Sequence, residues 1–205
     1  SHIARAGQIR TLLPEYRLSP EHKYPAAIDD VVAVYRSLLD MGMRAEDIIF
    51  AGDSAGGGLA MATMLALRDA NEPMPAAAVL LSPFLDVTGS GDSMRTRRDQ
   101  DPWFRAEDLV IIADHYCEPH QCSFPMVSPV LANIEGLPPM FIQVGDHEIL
   151  LSDSERIADA YVAAGINVEL EVWPEMWHVF QMFIGKMPEA RRAIDKMGLY
   201  IQSRF

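Results

Sequence analysis

Apolar positions along the chain follow two alternating rhythms. Short runs at residues 47–51, 76–81, 140–144 and 168–172 have the length and the Val, Ile, Leu and Phe content of strands. Between them, apolar residues return every three or four positions, which predicts amphipathic helices over 59–71, 152–164 and 188–203. An earlier helix opens at Pro25, repeats through Ile28, Val31, Val32, Tyr35, Leu38 and Leu39, and stops at Gly42, with one face expected on a sheet. Residues 9–16 carry a further apolar run around Thr11-Leu12-Leu13 and predict a strand, although Pro14 would weaken its ladder. Alternation of this kind means a mostly parallel sheet with helices on both faces. From 86 to 133 the rhythm breaks into Gly, Ser, Arg, Pro and isolated aromatics, with one helix over 106–116, and reads as an excursion above the sheet.

The run ending at Phe50-Ala51 stops at Gly52-Asp53-Ser54-Ala55-Gly56-Gly57-Gly58, where a helix begins at once. Gly-x-Ser-x-Gly between a strand and a helix is the spacing of a nucleophile elbow. It would hold the Ser54 hydroxyl proud of the sheet, with Gly52 and Gly56 letting neighbouring elements approach closely. The Ala55 N–H would then sit at a helix N-terminus, aimed where an acyl oxyanion forms. The rival reading is a phosphate-binding turn. Against it, the chain has no Lys-bearing phosphate loop and no Gly-x-Gly-x-x-Gly, and Asp53 would repel an anion.

Composition narrows the partners. The 205 residues are 49% hydrophobic and 22% charged, which suits one globular domain spanning 1–205. The net charge of −12, with no local Lys/Arg cluster, argues against nucleic acid or an anionic membrane as partner and favours a small neutral or hydrophobic molecule. No run approaches the roughly 18 apolar residues of a membrane span. No signal-peptide stretch is visible, so a cytoplasmic location with Cys117 and Cys122 reduced is expected. A homodimer is left open. The chain opens on Ser1 rather than Met, and its first helical stretch reads as the end of something longer, so residues before Ser1 are expected.

In a doubly wound sheet, ligands bind beyond the carboxyl ends of the strands. Past Val144 lies the acidic stretch Gly145-Asp146-His147-Glu148, and past Val172 lies Trp173-Pro174-Glu175-Met176-Trp177-His178. An elbow serine needs an acid and then a histidine downstream, so His178 is the expected base. His2, His22, His115 and His120 follow no strand in that order. The pairs His115/Cys117 and His120/Cys122 match no common zinc spacing, so no metal is expected.

Tyr16-Arg17-Leu18-Ser19-Pro20-Glu21-His22, Pro25-Ala26-Ala27, Gly52-Asp53-Ser54-Ala55-Gly56-Gly57, Leu81-Ser82-Pro83, Ser128-Pro129 and the His178 loop together resemble the bacterial hormone-sensitive-lipase-like carboxylesterases of the α/β-hydrolase fold. The resemblance implies a cofactor-free serine esterase acting on short- to medium-chain acyl esters, with residues 86–127 forming part of a helical cap. It implies a triad acid within an Asp-Pro-Leu-x-Asp motif, which this chain replaces with Glu148-Ile149-Leu150-Leu151-Ser152, Asp153 falling one place on. That register assigns the acid to Glu148, with Asp146 as the alternative and as a brace for its own turn. Asp153 is expected to bond backbone near the start of the following helix. The family's His-Gly-Gly-Gly oxyanion stretch, the first cap segment and an intervening strand are absent from these 205 residues and would precede Ser1. The resemblance therefore predicts that residues 9–16 and 47–51 are parallel strands separated by a gap, about twice the ~4.8 Å of paired neighbours. The same fold also serves as a non-catalytic small-molecule receptor or as an amidase or peptidase, and these remain alternatives.

Overall fold

The computed structural model describes residues 2–205. Four strands, β1 (Ile49–Asp53), β2 (Ala77–Leu81), β3 (Met140–Gly145) and β4 (Val168–Trp173), form one parallel sheet in the order β1-β2-β3-β4. β2 and β3 are buried along their whole length, as expected of inner strands covered on both faces. Successive side chains point to opposite faces, so Ala78, Leu80, Met140 and Ile142 meet one helix layer while Ala77, Val79, Leu81 and Phe141 meet the other.

The first layer is α3 (Ala55–Asp69), through Met61, Met64 and Leu65, and α6 (Leu151–Ala163), through Ile157 and Tyr161. The second is α7 (Pro188–Gln202), through Ile194, Met197, Tyr200 and Ile201, joined by Ile3 and Ala6 of α1 (His2–Gly7). The two cross so closely that a Cβ on Gly198 would lie 2.7 Å from the backbone of Ala6. Helix α2 (Ala26–Asp40) buries Ile28, Val32 and Tyr35 in one cluster with Ala62 and Leu67 of α3, with Ile48 just before β1, and with Phe50 of β1, on which the Tyr35 ring stands edge-on at 5.3 Å. Among the described residues no helix is long and apolar enough to cross a membrane.

The strand expected at 9–16 does not form, and the predicted gap has no strand on its far side. Leu12 and Leu13 are 56% and 90% exposed, and among the described residues β1 pairs only with β2. An apolar run supplies the side chains of a strand, but a ladder also needs a neighbouring backbone with free N–H and C=O groups. The elbow strand is shifted by two residues from the expected 47–51, because 45–47 form a turn of 3₁₀ helix.

Between β2 and β3 the chain makes its excursion, with α4 (Ser93–Thr96), α5 (Ala106–Tyr116) and two 3₁₀ turns. It is pinned to α6 by polar side chains. The Ser93 N–H donates to Ser152 Oγ at 2.8 Å and the Ser152 N–H donates back to Ser93 Oγ at 3.0 Å. The Asp153 carboxylate does not bond backbone at its own helix start. Its fully buried Oδ2 accepts from the N–H groups of Leu85 (2.8 Å) and Asp86 (2.9 Å). Asp86 in turn accepts from Thr88, Ser90 and Arg156. Burial alone would raise the Asp86 carboxyl, but the Ser90, Thr88 and Arg156 bonds hold it below the usual carboxylate range.

Among the described residues Asp153 has no cation in direct contact, and its buried Oδ1 has no hydrogen-bond partner. Burial, opposed by the Leu85 N–H and reinforced by the Asp86 charge, pushes its carboxyl up to about 7. The unfolded chain binds that proton only below pH ~3.9. The folded state therefore holds an extra proton between these values, and the stability this group contributes is lost as pH rises through about 7. Asp153→Asn, which keeps an acceptor for Leu85 and carries no charge, is expected to gain stability relative to the parent by on the order of 2 kcal/mol between about pH 5 and pH 8. Urea unfolding at the two pH values measures this. A difference between the two proteins that does not change with pH would refute it.

Candidate active site

The carboxyl ends of all four strands point the same way, and the chemistry-bearing residues follow them. Ser54 succeeds Asp53, the last residue of β1, with φ 53° and ψ −122°. A non-glycine residue in that region is held there by its surroundings. The Ser54 N–H donates to Leu81 O at 2.9 Å, while its carbonyl accepts from Gly57 N at 3.0 Å and Phe84 N at 3.0 Å. Ala55 then opens α3, so its N–H is among the first four that helix geometry leaves without an intrahelical acceptor.

The glycine requirements differ from the motif's. A Cβ on Gly52 would meet Gly56 O at 2.2 Å, on Gly57 it would meet Pro83 Cβ at 2.7 Å, and on Gly58 it would meet Phe84 O at 2.4 Å. A Cβ on Gly56 would meet nothing within 4 Å. The close approach therefore rests on Gly52, Gly57 and Gly58, two of which lie outside Gly-x-Ser-x-Gly. Asp53 is exposed at the end of the strand.

Beyond β3 and β4 two loops are joined along their length. The Asp146 N–H donates to Trp173 O and the His147 N–H donates to Met176 O, both at 3.0 Å. A Cβ on Gly145 would stand 2.1 Å from Met176 O, so only glycine lets the loops lie this close. The Asp146 carboxylate accepts from Glu175 N at 2.7 Å, supporting a residue held at φ 59°, and makes no bond to His178. The joined loops bring His178 onto Glu148. Its Nδ1 lies 3.0 Å from Glu148 Oε2, with the two side chains 3% and 0% exposed. The other oxygen, Oε1, accepts from Gly145 N at 2.6 Å and from Ser82 Oγ at 2.7 Å. The 82–84 loop touches both the Ser54 turn and the His178 loop, with Phe84 N on the Ser54 carbonyl and Ser82 Oγ on Val179 N, and no hydrogen bond joins the Ser54 hydroxyl to His178 among the described residues.

Sequence reasoning passed over two residues of the excursion. Phe104 sets its ring edge-on against His178, with centroids 4.9 Å apart and planes at 84°. Asp101 holds it there: Oδ1 accepts from Trp103 N and Phe104 N, and Oδ2 accepts from Ile149 N at 2.9 Å, next to Glu148. Only Asp101's place just before a Trp-Phe pair hints at this, and nothing local names Ile149 as the partner. Asp101→Ala leaves the buried Ile149 N–H without an acceptor and frees the 103–104 turn, and is expected to lower stability by about 1–3 kcal/mol. Thermal unfolding of the variant checks this, and an unchanged midpoint would show that the latch carries no weight.

The His and Cys residues of the excursion do not gather. Cys117 and Cys122 are free thiols with sulfurs 3.6 Å apart, and the His120 ring packs against Phe124. Among the described residues no three His, Cys, Asp or Glu side chains are grouped as a metal site.

The family model described as alpha/beta hydrolase fold matches residues 1–182. An acetyl-hydrolase of Streptomyces hygroscopicus is 40% identical over 203 residues, covering 99% of this chain and 68% of the relative. An esterase of Acinetobacter venetianus is 39% identical over 202 residues, covering 98% of this chain and 67% of the relative. The crystal structure of an esterase from the bacterial hormone-sensitive lipase family superimposes with a TM-score of 0.97 at 43% identity, over 100% of this chain and 69% of that one. The chain thus spans about two thirds of the length of these proteins. With that match, and with Ser54 and the Glu148–His178 pair at the carboxyl ends of one parallel sheet, the chain belongs to the α/β-hydrolase family, among the bacterial hormone-sensitive-lipase-like carboxylic ester hydrolases.

Proposed function

We propose that the protein hydrolyses short- to medium-chain acyl esters through Ser54, His178 and Glu148. The observation that carries this reading is the buried Glu148–His178 pair, 3.0 Å from oxygen to nitrogen, beyond the same sheet edge as a serine in a left-handed turn. A carboxylate against Nδ1 keeps the ring proton there and leaves Nε2 free to accept one. In the reaction, His178 takes the Ser54 proton as Oγ attacks the ester carbonyl, and the Ala55 N–H donates to the developing oxyanion at the head of α3. Collapse expels the alcohol with the proton from His178. Water, activated by the same ring, then releases the acid. No cofactor enters this sequence. Glu148 stabilises the imidazolium through its bond to Nδ1. Residues 86–127 act as a cap whose Phe104 forms an apolar wall beside His178, suited to an acyl chain or a small alcohol.

The test is covalent labelling. Ser54 Oγ is expected to displace fluoride from phenylmethylsulfonyl fluoride, its proton passing to His178 and leaving with the fluoride, so that one phenylmethylsulfonyl group is added to the peptide that carries Ser54 and p-nitrophenyl acetate hydrolysis stops in proportion. Hydrolysis that survives full labelling would overturn the assignment of Ser54. Absence of both labelling and hydrolysis would favour a binding protein on this fold.

A further inference from the structure

Ser82 follows the last residue of β2 and is fully buried, at φ 44°. Conformation alone would favour glycine there. The side chain present instead makes two hydrogen bonds to segments far away in sequence. Its hydroxyl donates to Glu148 Oε1 at 2.7 Å and accepts from the Val179 N–H at 3.0 Å. The directions are fixed by chemistry, since an ionised carboxylate only accepts and a backbone N–H only donates. Val179 is itself at φ 50°, immediately after His178 and at the head of the 3₁₀ turn Phe180–Phe183.

One buried hydroxyl therefore touches the acid with its proton and the backbone of the base with its lone pair. Glu148 Oε1 already accepts from Gly145 N, so with Ser82 it has two donors, and Oε2 is left to face Nδ1 of His178. On the other side, the bond to Val179 fixes the peptide that sets where the His178 ring stands.

We propose that Ser82 is a positioning residue for ester hydrolysis, holding the Glu148 carboxylate and the His178 backbone in register through a single hydroxyl. The proposal rests on the reading of Glu148 and His178 as acid and base. Removing the hydroxyl lets the carboxylate turn about its last side-chain bond and leaves the Val179 N–H without an acceptor.

The expected result is that Ser82→Ala lowers kcat for p-nitrophenyl butyrate by about 10–100-fold, with KM within about twofold, a loss typical of outer partners of an active group. Ser82→Gly, which suits the left-handed backbone, is expected to lose as much, because the hydroxyl and not the backbone carries the effect. In a Glu148→Gln background either change should cost at least about threefold less than in the parent, since the part of the effect carried by the carboxylate is gone and only the part carried through Val179 remains. A merely structural residue would cost the same factor in both backgrounds. Unchanged kcat in both Ser82 variants, or equal losses with and without Glu148→Gln, would overturn the proposal while leaving the acid assignment standing. Full activity in Glu148→Gln alone would overturn the acid assignment and the proposal with it.

Discussion

Ser54→Ala is expected to lower kcat for p-nitrophenyl butyrate by on the order of 10⁴–10⁶, the range seen when the nucleophile of a serine triad is removed. The substitution deletes only Oγ. Alanine has the same Cβ as serine, so the left-handed backbone at φ 53° is no more strained than before, and the bonds of Ser54 to Leu81, Gly57 and Phe84 all run through its backbone. Thermal unfolding should therefore be unchanged, which separates loss of the nucleophile from loss of the fold. The residual rate measures what binding and the N–H groups at the head of α3 supply by themselves. A variant within about tenfold of the parent, with a normal melting midpoint, would remove Ser54 from the mechanism.

The second large effect is expected at the acid. Glu148→Gln should lower kcat by about 10⁴, whereas Asp146→Asn should change it by less than about tenfold. Both oxygens of Glu148 accept: Oε1 from Gly145 N and Ser82 Oγ, Oε2 facing His178. A glutamine can satisfy one set only. With its oxygen on Gly145 and Ser82, its NH₂ faces Nδ1 and forces the ring proton onto Nε2, where the base is needed. Turned round, it sets a donor against two donors. Asp146 meets no such conflict, because its bond from Glu175 N can be kept by an asparagine oxygen, and its other neighbour, His147 Nε2 at 3.7 Å, lies outside the Glu148–His178 pair. Paired kinetics of the two variants decide the matter, and the reverse ranking would move the acid to Asp146.

The fold and its site were legible in the sequence to different depths. The inner strands were plain, because Ala77–Leu81 and Met140–Gly145 are buried on both faces and their apolar runs follow directly from that. Helices α2, α6 and α7 were plain from spacing, since each has one buried face. The run at 9–16 carried a strand-like pattern without becoming a strand, with Leu13 left 90% exposed. Pattern describes one partner of a ladder, and pairing needs two.

Residues whose role is set by their own few neighbours were thus determined by the sequence alone. These are the turn that holds Ser54 and the helix that begins at Ala55. Tertiary structure alone decided the rest. It decided that Gly57 and Gly58 rather than Gly56 must lack a side chain, because the crowding atoms belong to Pro83 and Phe84 on the next strand's loop. It sent Asp153 to the N–H groups of Leu85 and Asp86, Asp101 to Ile149, and Phe104 to His178. It also placed the Ser82 hydroxyl between Glu148 and Val179. The physical reason is common to all of these. A hydrogen bond or a van der Waals contact is decided within a few ångströms, and only the register of a parallel sheet brings residues so far apart in sequence within that reach.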